Sequence, residues 1–221
     1  AVFVMDDEAK VLKEWFGRTV TYSDRRFTYE EAQEIIETGK GDYKDEIQTL
    51  HRLAQIMRKA RFKNGAITFE REEAKFKLDE NGKPLGVYFK EQKESNQLIE
   101  EFMLLANRKV AEFVGKKRGA GANANRTFVY RVHDEPNPDK LTSFRSFISR
   151  FGYDFRAQEG KAVSKEMNRL MTKIRGKYEE NVISTLAIRT MAKAFYSTDN
   201  IGHYGLAFSY YTHFTSPIRR Y

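Results

Sequence analysis

The stretch that decides the reading of this chain is its last twenty residues, Gly202-His203-Tyr204-Gly205-Leu206-Ala207-Phe208-Ser209-Tyr210-Tyr211-Thr212-His213-Phe214-Thr215-Ser216-Pro217-Ile218-Arg219-Arg220-Tyr221. It opens on a glycine-punctuated aromatic run and closes on what reads as the start of a helix. Thr215 or Ser216 can cap that helix and Pro217 suits its first position. Arg219 and Arg220 then fall in the first turn, where cations oppose the helix macrodipole at a cost of a few tenths of a kcal/mol. Free backbone N–H groups and two guanidinium groups at one helix start suit a phosphate. A structural ion pair with an acidic partner elsewhere explains the same two arginines, and the residues alone leave both readings open.

The charge of the chain bears on that choice. The 221 residues carry 39 Lys and Arg against 31 Asp and Glu, a net charge of +8. Residues 1–50 hold 7 basic and 12 acidic side chains, whereas residues 140–221 hold 14 and 6, so the cationic end is the C-terminal third. A phosphate backbone is expected there, with solvated helix faces as the plain alternative. With 40% hydrophobic and 14% aromatic residues a packed core is expected. The absence of cysteine excludes a disulfide framework, a Cys-based zinc finger, an iron–sulfur centre and a thiol nucleophile. No apolar run nears the ~18 residues of a membrane span, and no basic-then-apolar leader opens the sequence. A soluble, cytoplasmic α+β protein with no membrane partner is expected. Its abrupt edges read as those of a piece of a longer polypeptide.

Working outward, apolar–polar alternation predicts a strand from Trp15 to Ser23. Thr28-Tyr29-Glu30-Glu31 forms a capping box for a helix that stops at Gly39. A longer helix is predicted from Lys44 to Lys63, with Ile47, Leu50, Leu53, Ala54 and Met57 buried. Ala66–Phe69 and Ala74–Leu78 read as short strands, and Asn81-Gly82 turns the latter back into Leu85–Phe89. Ser95–Val114 is the clearest helix, with Leu98, Phe102, Leu105, Ala106 and Phe113 as its buried stripe. The Gly/Ala/Asn-rich basic loop at 115–126 is expected to be mobile. Phe128–Val132 reads as a strand, followed by helices ending near Phe151, over Ser164–Ile174 and over Tyr178–Phe195. His203 and His213 are too far apart for a same-face helical metal pair, and His51 is isolated. His133, in a proline-rich setting, suggests a structural hydrogen bond, and no catalytic triad is assigned.

Gly202–Tyr221 closely resembles the signature of the ribonuclease R / ribonuclease II (RNB) family of 3′→5′ exoribonucleases. Four further blocks follow the family's order: Ser23–Tyr29, Gly65–Glu70, Leu98–Asn107, and Tyr130-Arg131-Val132-His133-Asp134-Glu135-Pro136. The wording of that last block and of the tail is similar to the bacterial ribonuclease R branch. The resemblance implies a helix-rich, partial RNB catalytic domain over residues 1–221, α+β with a small, mostly antiparallel sheet, and a monomer.

It also implies roles. Tyr29 and Glu100 match positions that contact the sugar near the RNA 3′ end, and Phe69 matches an aromatic that stacks on the terminal bases. Arg219 matches the arginine at the scissile phosphate, with Arg220 beside it on the RNA. On its own chemistry, Glu100 sits on the flank of its helix with Asn107 two turns on, where both could meet a ribose 2′-hydroxyl. A solvated helix face is the alternative for Glu100, with Glu101 as its neighbouring candidate. An ordinary packed tyrosine is the alternative for Tyr29, and a core aromatic for Phe69. The family implies Mg²⁺ or Mn²⁺ held by an aspartate cluster upstream of the first matched block. No D-x-x-D-D cluster exists here, Asp6-Asp7-Glu8 being the nearest acidic run. Single-stranded RNA is the expected partner, mononucleotides the expected product, and the 221 residues alone are expected to be inactive. A non-catalytic RNA-binding protein of the same fold, or a basic helical scaffold for another protein, are the competing classes.

Overall fold

A computed structural model describes residues 1–67, 73–90, 92–116 and 127–219. The chain begins with a hairpin, β1 (Val2–Met5) and β2 (Val11–Trp15), and enters helices α1 (Tyr29–Thr38) and α2 (Lys44–Lys63). A second hairpin, β3 (Glu73–Leu78) and β4 (Pro84–Lys90), leads into α3 (Glu94–Gly115). Then come β5 (Tyr130–Val132), α4 (Pro138–Ser149), α5 (Gly160–Ile174), α6 (Glu180–Thr190) and β6 (Phe195–Ser197). Two 3₁₀ turns follow, Tyr204–Leu206 and Pro217–Arg219. Among the described residues the strands form three separate antiparallel pairs, β1–β2, β3–β4 and β5–β6. The fold is α+β and helix-rich.

Local chemistry sets the boundaries. Thr28 Oγ1 accepts from Glu31 N at 3.1 Å and Glu31 Oε2 accepts from Thr28 N at 2.7 Å, the reciprocal cap that the spacing predicts. Those bonds hold the Glu31 carboxyl below the usual carboxylate range. Gly39 closes α1 in the left-handed region at φ 67°, where a side chain would be strained. Asn137 caps α4 by accepting from Lys140 N at 3.0 Å, with Pro138 in the first turn.

Two helix groups result. α1, α2 and α3 pack on one another. Helices α4, α5 and α6 enclose the main apolar core, in which Leu141, Phe144 and Ile148 of α4 meet Val163, Met167, Leu170 and Ile174 of α5 and Ile183 and Ala187 of α6. No helix among the described residues is long and apolar enough to cross a membrane.

Several expectations are corrected. The strand predicted for Trp15–Ser23 ends at Trp15, because Trp15 pairs with Val2 at the last rung of the β1–β2 ladder. Leu50 is 40% exposed and Met57 only half-buried, since α2 turns a narrower face inward than the apolar pattern suggested. The buried line of α3 is Leu98, Glu101, Leu104, Leu105, Asn107 and Ala111. Relative to the predicted stripe the helix is rotated, leaving Phe102 and Ala106 half-buried and Phe113 exposed. The last predicted helix ends at Thr190, and Phe195 pairs with Val132 in a strand instead. Ala66 and Ile67 lie in no strand, while Thr68 and Phe69 lie outside the described residues, as do residues 117–126 of the loop expected to be mobile.

Burial sets the ranking of mutational costs. Ile174 is fully buried in the α4–α6 core, and removing three of its carbons leaves a cavity. In urea denaturation, Ile174→Ala should cost about 2–4 kcal/mol, and Leu50→Ala well under half of that. Equal costs would place α2 in the opposite rotation.

Candidate nucleic-acid site

Residues 202–215 run between the helix groups and contain, apart from one 3₁₀ turn, no regular element longer than an isolated bridge. Other parts of the chain satisfy much of their backbone. His133 N donates to Gly202 O at 3.0 Å, Tyr204 N to His133 O at 2.8 Å, and Ile67 N to Gly205 O at 2.9 Å. Arg131 N donates to Tyr211 O at 3.0 Å, and Thr212 Oγ1 to Val129 O at 2.7 Å. Gly202 has φ 82°, and a β-carbon there would stand 3.1 Å from Phe208 O, so both conformation and space favour glycine.

Two side chains fix this segment. His133 Nδ1 accepts from Gly205 N at 2.8 Å while its Nε2 lies 2.8 Å from Ala192 O. The two contacts select one neutral tautomer, with the proton on Nε2. The structural role expected for His133 is the one found. Its ring lies 5.0 Å from that of His203, whose Nδ1 accepts from Leu206 N at 3.2 Å. Burial above all, helped for His203 by its imidazole neighbour, lowers both histidines, His203 to about 3.

Asn107 is the second anchor. At 1% exposure it is fully buried, and its Oδ1 accepts from Phe214 N at 2.9 Å and Thr215 N at 2.8 Å. Its Nδ2 faces Tyr211 Oη at 3.4 Å. Asn107 therefore does not point at a ligand beside Glu100. It holds the backbone immediately before Ser216-Pro217-Ile218-Arg219. Pro217 starts a 3₁₀ turn there, and Ser216 enters it in the left-handed region at φ 55°. The backbone of Arg219 closes that turn, while its side chain and all of Arg220 lie outside what is described.

Glu100 stands in a cluster of four charges between α2 and α3. Its carboxylate lies 3.6 Å from Arg58 Nη1 and 3.5 Å from Arg61 Nη2, and its side chain is 38% exposed. Glu101, 3% exposed, accepts from Arg61 at 3.2 Å on Oε2 and 2.5 Å on Oε1, with Arg58 at 3.4 Å. Both guanidinium groups lie about 5 Å from the centre of the Phe62 ring. Glu101 is thus committed to Arg61, and of the two neighbours only Glu100 has an open side. Sequence reasoning missed Arg58 and Arg61: their (i, i+3) spacing was visible, but their pairing with a helix forty residues on was not.

Tyr29 is the first residue of α1 and 46% exposed. One turn on, Gln33 joins α1 to the start of α3, donating to Glu94 Oε2 at 2.6 Å and accepting from Ser95 N at 3.0 Å. Tyr29 and Glu100 so belong to two helices locked together near the N-terminus of α3. Phe69 lies outside the described residues. Among the described residues no three His, Asp or Glu side chains converge where a metal ion could be held. The described residues therefore do not fit the Mg²⁺ or Mn²⁺ centre that the resemblance implies.

The model of the RNB domain matches residues 1–221. The chain belongs to the RNB family. It is 36% identical to DIS3-like exonuclease 2 of Schizosaccharomyces pombe over 98% of its length, which is 25% of that relative. It is also 36% identical to ribonuclease R of Thermotoga maritima (98% of the chain, 30% of the relative) and 33% identical to ribonuclease R of Escherichia coli (93% and 25%). The chain thus spans about a quarter to a third of the length of these relatives. Among solved structures, Mycoplasma genitalium RNase R in complex with ribose methylated single-stranded RNA matches with a TM-score of 0.78 at 23% identity, over 98% of this chain and 33% of that one. Yeast Ssd1, a pseudonuclease, matches with a TM-score of 0.67 at 22% identity, over 97% and 26%. At these identities the structural matches establish the RNB fold.

The neutral histidine pair makes stability depend on pH. Both imidazoles titrate below their ordinary 6.5 in the fold, so between that value and the folded one the unfolded chain binds more protons. Stability should be complete above about pH 6.5 and fall by about 1–2 kcal/mol on going to pH 5, before carboxylates titrate. Thermal or urea denaturation should show that slope, and His203→Gln should flatten it. For the second anchor, Asn107→Asp retains an acceptor for two N–H groups and Asn107→Leu leaves both unpaired. Proteolysis at Arg219 and Arg220 should be accelerated at least tenfold in the Leu variant and much less in the Asp variant.

Proposed function

We propose that these residues form the part of a 3′→5′ exoribonuclease that holds the 3′ end of single-stranded RNA, within a polypeptide that releases nucleoside 5′-monophosphates. The observation that carries this reading is the RNB match over residues 1–221, which ends on the segment that Asn107 pins ahead of Arg219. In this reading Arg219 grips the scissile phosphate through two parallel hydrogen bonds, a geometry that an ammonium group cannot reproduce. Arg220 makes a neighbouring contact to the RNA. Tyr29, exposed at the head of α1, and the open side of Glu100 meet the terminal ribose, where the 2′-hydroxyl distinguishes RNA from DNA. Phe69 stacks on a terminal base, worth about 1–3 kcal/mol.

Hydrolysis in this family is a metal-dependent step, with Mg²⁺ or Mn²⁺ as the ion proposed here. The 221 residues hold no aspartate cluster to bind it, so by themselves they bind and orient RNA without cleaving it. The protein is taken to act as a cytoplasmic monomer. A second reading, a non-catalytic RNA-binding member of the family, is kept in view by the fold shared with a pseudonuclease.

The test joins binding to chemistry. With labelled single-stranded RNA and either metal ion, the 221-residue chain should bind and release no mononucleotides. Its affinity should fall roughly tenfold or more between 50 and 200 mM salt. In a polypeptide that also carries the aspartate cluster, Arg219→Lys should lower the single-turnover rate roughly 10²–10³-fold with little change in RNA affinity. Arg220→Lys should do less. A parent polypeptide with no metal-dependent cleavage under any of these conditions decides for the non-catalytic binder.

A further inference from the structure

Helix α5 buries Val163, Met167, Leu170 and Ile174 in the core, and its opposite face carries Lys161, Lys165, Arg169 and Lys173. These four cations recur every fourth residue, so they stand in one line about 6 Å apart and about 18 Å long. All four are exposed, and among the described residues none of them forms an ion pair. Three acidic side chains near the helix bind backbone N–H groups, while Glu159, exposed at its N-cap, makes no side-chain cap. Glu166 Oε2 accepts from Arg156 N and Ala157 N, both at 2.7 Å. Glu180 Oε2 accepts from Gly176 N at 2.6 Å, and Glu135 Oε2 from Gly160 N at 3.2 Å.

Left to folding alone, this pattern is unfavourable. Like charges at (i, i+4) destabilise a helix by about 0.2–0.5 kcal/mol per pair, and the line contains three such pairs in succession. Lys161 also sits in the first turn, against the macrodipole, where the turn itself holds no acidic residue and Glu159 stands only at the N-cap. The line begins beside the candidate site: Gly160 O accepts from Tyr204 Oη at 2.9 Å, and Lys161 packs its stem against Gly65.

We propose that this face of α5 is a phosphate track for single-stranded RNA, lying outside the 3′-end site and starting at the 202–215 segment. The inference rests on the RNA reading given above. Four evenly spaced, unpaired cations complement a flexible polyanion, and their span suits the short end, about four nucleotides, of the sites by which positive grooves follow a single strand. A single row, slanting gently around the helix, addresses one strand. Helix α5 itself carries no aromatic side chain, so the row's own contact is to the backbone and indifferent to base sequence.

The test is a comparison of two fourfold variants of the 221-residue chain, both with the same loss of charge. One is K161Q/K165Q/R169Q/K173Q. The other removes four exposed lysines elsewhere, K10Q/K13Q/K40Q/K59Q. Binding of a labelled oligouridylate of about twelve nucleotides is measured from 50 to 300 mM salt, alongside thermal denaturation. The α5 variant should fold with an unchanged or raised midpoint, bind at least tenfold more weakly at 50 mM salt, and show a log–log salt slope smaller by about two to three. The control should stay within about threefold of the parent. Equal weakening by both variants would reduce the effect to net charge and overturn the track. A parent that binds while the α5 variant matches it also overturns the track and leaves the RNA reading intact. A parent that binds no RNA removes both. Displacement of the RNA by polyglutamate at equal charge would show a surface for any acidic polymer and would overturn the assignment to RNA.

Discussion

Buried backbone must be hydrogen-bonded, and residues 202–215 have almost no regular structure with which to do it. The partners come from other parts of the chain, and two side chains supply the most constrained of them. Neutral His133 ties Gly205 to the end of α6 through opposite edges of one ring. Asn107 turns a single carbonyl oxygen toward two consecutive N–H groups, a geometry that admits one path for the chain. The β5–β6 pair, the 3₁₀ turn at Tyr204 and the approach to Arg219 all follow from that path. The regular elements are thus scaffolding for an irregular one, the usual arrangement where a protein binds or reacts.

The charges between α2 and α3 place a second demand on the same scaffold. The Arg61–Glu101 pair is almost out of water, and its two hydrogen bonds offset desolvation only while both partners remain. Glu100, one residue earlier, shares the arginines but keeps a solvent-facing side. Neighbouring carboxylates therefore differ by exposure alone, one locking two helices and the other keeping a side open to solvent.

Much of this was legible in the sequence where the physics is local. The Thr28–Glu31 cap, Gly39 as a stop, and the bounds of α2 are matters of neighbouring residues, and each was readable without a fold. The order of the family blocks was readable too. What failed was what depends on distant partners. The rotation of α3 is decided by Arg61 pulling Glu101 inward and by the tail drawing Asn107 inward, so polar residues took places that an apolar stripe assigns to Phe102 and Phe113. The Trp15–Ser23 alternation was genuine, but a strand needs a neighbour, and β1 ends its ladder at Trp15. The helix expected through Phe195 lost its last turns to a pairing with Val132 across more than sixty residues.

That separation in sequence has a kinetic side. The β1–β2 and β3–β4 hairpins close through nearby residues and can form early. The contacts that shape the Arg219 segment span 72 residues from His133 to Gly205, 83 from Val129 to Thr212 and 107 from Asn107 to Phe214. Each requires a long loop to be closed before it stabilises anything, so this segment is expected to order late. A nascent or partly folded chain would then show hairpins and helices before the path of residues 202–215 is set, and the setting of that path would report that β5 and α3 have come together around it.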